Sequence, residues 1–217
     1  MNSRITTIYL SLAVLLTATL FFFSFTDKIK LPGDHTGYEP IQPINYSHRL
    51  HAGELQIQCQ FCHTGADKGK HAAIPSASTC MSCHKNISAP FLDVKQEEKN
   101  AEKEKRKPKI IVSSELKKLY NFTGFNPEKN IYENNGKPIE WSKIHSLADF
   151  VYFNHSAHVN RGVDCQKCHG EVQTMERVRQ VTDFTMGYCV NCHRDVNKNG
   201  INGLKVNAPI DCSGCHY

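Results

Sequence analysis

The sequence predicts a mostly α-helical and irregular protein: one N-terminal transmembrane helix, then a domain of short helices and long loops packed around prosthetic groups. Three observations lead there. Residues 5–25 form an apolar run with no formal charge. Beyond it, long apolar stretches are scarce and almost nothing alternates apolar with polar as a half-buried strand would. All ten cysteines of the 217-residue chain fall in five C-x-x-C-H motifs.

The first element is the apolar run. Twenty-one residues from Ile5 to Phe25, at about 1.5 Å per residue, make roughly 30 Å of helix, the thickness of one hydrocarbon core. A cleavable secretory signal usually has a shorter apolar region ending in a small-residue A-x-A-like site. Here the run ends Phe21-Phe22-Phe23-Ser24-Phe25, so an uncleaved membrane anchor over residues 1–30 is expected. Arg4 on one flank and Lys28 and Lys30 on the other leave its orientation undecided by charge.

The next elements are the motifs, Cys59-Gln60-Phe61-Cys62-His63, Cys80-Met81-Ser82-Cys83-His84, Cys165-Gln166-Lys167-Cys168-His169, Cys189-Val190-Asn191-Cys192-His193 and Cys212-Ser213-Gly214-Cys215-His216. Two thiols three apart can bond both vinyl groups of one porphyrin, and the following histidine then gives its imidazole to the iron as proximal ligand. Zinc sites, redox dithiols and disulfides also use paired cysteines. None of them explains a histidine directly after all five second cysteines. The expectation is five covalently bound haem c groups, with His63, His84, His169, His193 and His216 as proximal ligands.

The motifs belong to a repeat. Tyr46-Ser47-His48-Arg49-Leu50-His51 precedes the first pair as Phe153-Asn154-His155-Ser156-Ala157-His158 precedes the third and fourth. Both carry an aromatic residue, a histidine two later and another three further on. The expected domains are therefore a first haem module at 31–92, a linker at 93–140, and a second module at 141–217 that includes the fifth motif. Of twelve histidines, seven are not proximal. His48, His51, His155 and His158 recur in register and are expected as distal ligands, their three-residue spacing placing each pair near one helical face. His71, between the first two motifs, is expected as the fifth. His35 and His145 are read as solvated or core residues. Met175 or Met186 is the alternative distal ligand for one haem, whose potential a thioether would raise.

Between the modules, Lys95 to Lys109 is a mixed-charge run suited to a solvated helix or loop, and residues 124–137 are rich in turn formers. Trp141, the single tryptophan, is expected to wedge beside a haem or simply to pack. The formal charge of +5 is not a nucleic-acid signal. Five haems would add about ten propionate charges, and no basic stripe with interleaved aromatics is present.

The aromatic-x-His-x-x-His lead-in followed by C-x-x-C-H resembles class III multihaem cytochromes c. More specifically, His48-Arg49-Leu50-His51-Ala52-Gly53-Glu54-Leu55, Lys70-His71-Ala72-Ala73-Ile74-Pro75-Ser76, Phe153-Asn154-His155-Ser156-Ala157-His158-Val159 and Met186-Gly187-Tyr188-Cys189 look like the pentahaem subunit of bacterial alternative complex III. The resemblance covers roughly residues 44–90 and 137–217 and the anchor, and residues 93–136 carry no family signal. It implies a single-pass protein of the inner membrane with its haem domain in the periplasm. It also implies a quinol-oxidising respiratory complex with other integral and periplasmic subunits, in which this subunit passes electrons to a cytochrome c, a copper protein or a terminal oxidase. On that reading the chain is not catalytic on a small substrate by itself. The alternatives are a stand-alone membrane-anchored quinol dehydrogenase and a periplasmic electron carrier. A multihaem nitrite or hydroxylamine reductase would need an open iron and often an altered motif, and no altered motif occurs.

Overall fold

The computed structural model describes residues 3–26 and 34–217, with the side chains of residues 6–24 in the first helix. Lys28, Lys30 and the expected boundary after residue 30 lie outside the described residues. The chain divides into two units, Met1–His35 and Thr36–Tyr217. In the first, α1 runs Ser3–Thr26. Its stretch Thr6–Ser24 is long and apolar enough to cross a membrane, and none of it is buried. The hydroxyls of Ser11, Thr17, Thr19 and Ser24 donate to carbonyls three or four residues earlier, so this apolar helix satisfies its own polar groups.

The second unit is mostly short helices and irregular backbone, as the composition predicts. In order come a π-helical turn at Arg49–Glu54, α2 Cys59–Cys62, α3 Ala77–His84, α4 Phe91–Lys103 and α5 Ser114–Thr123. A minimal hairpin follows, β1 Phe125–Asn126 antiparallel to β2 Ile131–Tyr132, with Phe125 opposite Tyr132. Then come α6 His155–Val159, α7 Cys165–His169, a 3-10 turn at Val172–Thr174, α8 Met186–Asn199 and a last 3-10 turn at Cys212–Gly214.

Local chemistry starts and stops these elements. Thr185 caps α8 by accepting from the Tyr188 N–H at 3.2 Å, Asn154 caps α6 through Ser156 N–H at 3.0 Å, and Ser113 caps α5. Helix α5 stops at Gly124, whose φ of 68° is left-handed and whose added Cβ would lie 2.2 Å from Asn134 Oδ1.

The side-chain core is small: Ile44, Met81, Leu119, Tyr120 and Phe125, with Trp141, Ile139, Leu116 and Val112 packed against it. Three of those five buried residues come from the segment expected as a linker. Helix α5 thus lies on α3 of the first module, and the Tyr120 hydroxyl donates to the carbonyl of His84 at 2.7 Å. Trp141 packs on this core. The charged run becomes α4 plus a return loop. Lys95 pairs with Glu98 at 2.6 Å, while Arg106 and the Lys109 N–H converge on Glu97, and Arg106 holds that carboxyl down to about 2.

Candidate haem-binding sites

All five motifs lie on helical turns: α2, the end of α3, α7, the first half of α8 and the final 3-10 turn. Residues three apart share a helical face, so each turn turns its two sulfurs to the same side. None of the ten cysteines is in a disulfide. Among the described residues no cluster of three or more His, Cys, Asp or Glu could hold a bare metal ion. Paired thiols followed by an imidazole suit an iron that arrives inside a macrocycle and asks the protein only for axial ligands.

The histidines are oriented by a recurrent hydrogen bond. Nδ1 of His63 reaches the carbonyl of Ala73 at 2.8 Å, that of His84 reaches Ile87 at 2.8 Å, and that of His193 reaches Pro209 at 2.5 Å. Among the lead-in histidines, Nδ1 of His51 reaches Ser47 at 2.9 Å, His155 reaches Lys70 at 2.8 Å, and His158 reaches Asn154 at 2.8 Å. A carbonyl can only accept, so Nδ1 carries the proton in each ring. The lone pair is then on Nε2, the atom left to face a metal.

Those rings face one another in pairs. The centroids of His51 and His84 are 6.0 Å apart, those of His155 and His169 6.3 Å, and those of His158 and His193 6.1 Å. Two imidazoles bound at about 2 Å on opposite sides of one metal place their ring centres about 6 Å apart. His48 lies near His63, and burial, then the charges of His63 and His51, push it down to about 4. Its Nδ1 is buried without a hydrogen-bond partner among the described residues, so His48 alone of the four lead-in histidines lacks the orienting bond. The donor set and spacing therefore fit haem.

The repeat is also visible in three dimensions. The Tyr46 ring meets His48 edge-on at 4.8 Å and stacks on His51 at 4.4 Å. Phe153 meets His155 at 4.8 Å and stacks on His158 at 4.7 Å. Each lead-in then docks on the segment after the other repeat's first motif. Arg49 N–H donates to the Met175 carbonyl at 2.9 Å, and its counterpart Ser156 N–H donates to the Gly69 carbonyl at 3.0 Å. Gly53 lies so close to the Gln173 carbonyl that an added Cβ would be 2.3 Å from it. Its counterpart Asn160 donates Nδ2 to the Asp67 carbonyl at 3.0 Å. The two repeats thus contact each other reciprocally, an internal two-fold like that of an isologous dimer. Cys59 and Cys165, equivalent first cysteines, lie close to one another across it.

One residue read from sequence as solvated or core has a more particular place. Nε2 of His145 lies 3.2 Å from Nδ1 of His169. Phe184, held at φ 51°, also meets His145 edge-on, with ring centroids 6.1 Å apart. The fully buried Gln180 accepts from the N–H of the next residue, Ser146, at 3.2 Å. Burial lowers His145 and His169 to about 4 each, so both rings are neutral and one can accept from the other. A lone histidine far from any motif gives no sequence signal of this. His216 stacks on Phe150 at 5.6 Å, and among the described residues neither His71 nor any other histidine makes ring contact with it. His35 is exposed. Met186 is 71% exposed at the start of α8, and Met175 lines a pocket of about 430 Å³ with Glu171 and Arg177.

Parts of the sequence are similar to known proteins. Residues 151–217 match the family described as cytochrome c7 and related cytochrome c. This stretch is a cytochrome c7-like multihaem domain. A cytochrome c domain holds its haem covalently, so haem c is its prosthetic group. A wider likeness is to the menaquinone reductase, multiheme cytochrome c subunit, of Nitratidesulfovibrio vulgaris, 24% identical over 199 residues and covering 81% of this chain and 76% of that protein.

The reciprocal contact can be tested from both sides. Gly53→Ala must displace the Gln173 backbone and should cost about 1–3 kcal/mol. Asn160→Ala loses one hydrogen bond and should cost about 1 kcal/mol. Urea unfolding of the holoprotein, followed by haem absorbance, measures both, and Gly69→Ala, which has no atom within 4 Å of its Cβ, serves as the control.

Proposed function

We propose that this chain is a membrane-anchored pentahaem cytochrome c that conducts electrons within a quinone-linked respiratory complex. The observation that carries the reading is the set of three facing histidine pairs, each about 6 Å apart with its Nδ1 atoms engaged. Cys59 and Cys62, Cys80 and Cys83, Cys165 and Cys168, Cys189 and Cys192, and Cys212 and Cys215 would hold five haem c groups. His63, His84, His169, His193 and His216 would be proximal. By geometry His51 pairs with His84, His155 with His169 and His158 with His193, and by repeat His48 pairs with His63. His71 is assigned to the fifth site, with Met175 or Met186 as the alternative.

Bound haem c supplies one-electron transfer at its iron. The chain's own part is to hold the imidazoles rigid, keep Nε2 unprotonated and pack the sites closely. Helix α1 would anchor the protein in the inner membrane, with modules 31–92 and 141–217 in the periplasm and 93–140 between them.

The resemblance to the alternative complex III subunit supports electron flow from quinol to a cytochrome c, copper protein or oxidase. The relative's name supports a second reading, in which a partner delivers electrons toward menaquinone. Both need other subunits, and neither makes this chain a small-molecule catalyst alone. Mixing the purified complex with reduced quinol and separately with a reduced periplasmic cytochrome, and following haem reduction, distinguishes the two directions.

Extracted in detergent, the protein should co-fractionate with a larger assembly and give five haems per chain by pyridine haemochrome. Three or fewer, in fully matured protein, would sink the pentahaem reading. At the fifth site, His71→Ala should open one iron to the high-spin state. If Met175→Ala or Met186→Ala lowers one midpoint while His71→Ala changes nothing, the thioether assignment replaces it.

His145 generates a separate expectation. By accepting from His169 it makes that ligand more electron-rich than one bonded to a carbonyl. His145→Leu should therefore raise the midpoint of one haem, and His145→Gln, which retains an acceptor, should restore most of the difference. A redox titration of the three proteins settles it, since loss of packing alone would not be rescued by Gln.

A further inference from the structure

The contacts between motifs define an order that departs from the order in the chain. Within the first repeat, the single ring of Tyr46 touches both His48, beside His63 of the first motif, and His51, which faces His84 of the second. Within the second repeat, Phe153 joins the third and fourth motifs in the same way. The Tyr188 hydroxyl, one residue before Cys189, adds a link by donating to the Lys167 carbonyl at 2.6 Å and lying 3.9 Å from Cys168 Sγ. The fourth motif reaches the fifth through His193 Nδ1 on the Pro209 carbonyl, and through Asn197, which bonds both the N–H and C=O of Ala208.

The decisive junction lies between the repeats. The second and third motifs are sequence neighbours, yet α3 is backed by α5 and its last carbonyl is taken by Tyr120. The first motif meets the third instead. The bonds from Ser156 to Gly69, from His155 to Lys70 and from Asn160 to Asp67 tie the second lead-in to the segment just after His63. The reciprocal bond from Arg49 to Met175 ties the first lead-in to the segment after His169.

We infer that the five attachment sites form one unbranched line in the order second, first, third, fourth, fifth, with the first and third meeting at the internal two-fold. The inference rests on the ligand assignment proposed above. It makes the second and fifth sites the two ends, so that an external donor and acceptor exchange electrons next to α3 and next to the Cys212–Gly214 turn. The first motif, although it comes earliest in the chain, is interior.

Substitution of one axial ligand at a time in the holoprotein tests the order. His48→Met should raise the midpoint of the first site and His51→Met that of the second. A site that is reduced early repels the electron entering an adjacent site, and screening confines the effect to near neighbours. In spectroelectrochemical titration His48→Met should therefore lower two other midpoints, and His51→Met only one. If His51→Met lowers two and His48→Met one, the sites run in chain order and the inference is overturned. Unchanged absorption spectra in both variants would overturn the ligand assignment and the inference with it. His63→Met and His84→Met repeat the comparison from the proximal side, should either distal variant fail to accumulate.

Discussion

The hydrogen bond from a histidine Nδ1 to a backbone carbonyl is the contact on which the second unit depends. Six rings make it: His51, His63, His84, His155, His158 and His193. It fixes the tautomer, the direction of Nε2 and the plane of the ring together. Because every residue carries a carbonyl, the bond asks nothing of the partner's side chain. Irregular loops can therefore orient a metal ligand as firmly as a helix would. A domain with only a handful of buried apolar side chains can still hold many imidazoles in place, and the groups that they would bind supply the rest of its apolar interior.

Duplication gives the second level of order. A single lead-in with its pair of motifs leaves the carbonyls after the first motif unused. Two copies complete one another, since Arg49 meets Met175 as Ser156 meets Gly69. At the tightest point the symmetry is broken in composition but kept in position. Gly53 closes on a carbonyl by having no side chain, whereas Asn160 bonds the equivalent carbonyl with one. The cytochrome c7-like match over residues 151–217 covers the second copy, and the first copy packs against it by the same rules.

The motifs and the lead-in repeat were legible because they are written in side chains. Tyr46 and Phe153 could be matched by spacing alone, and they have the same geometry against their histidines. The mostly helical, loop-rich fold followed from the lack of strand periodicity. The pairing between repeats was not legible, because its acceptors are backbone carbonyls at Met175, Gly69 and Asp67, which leave no residue signature. His145 was missed for a different reason: its partner His169 is 24 residues away, and the loop that carries it is set by the buried Gln180. The segment 93–140 looked like a tether because its charges dominate its composition. Yet Leu119, Tyr120 and Phe125 from this segment are three of the five buried residues of the side-chain core.

The reciprocal contacts also constrain the order of events in folding. They span 93 residues between Asp67 and Asn160 and 126 between Arg49 and Met175, and closing loops of that length is slow compared with forming the short helices. As the chain emerges, the first two motifs are complete long before their partner segment exists. The early half therefore waits open, its thiols presented on isolated turns, and the late half acts as the latch that shuts both. The spacing of the repeat itself thus sets the interval between the emergence of the first cysteines and the closure of the fold.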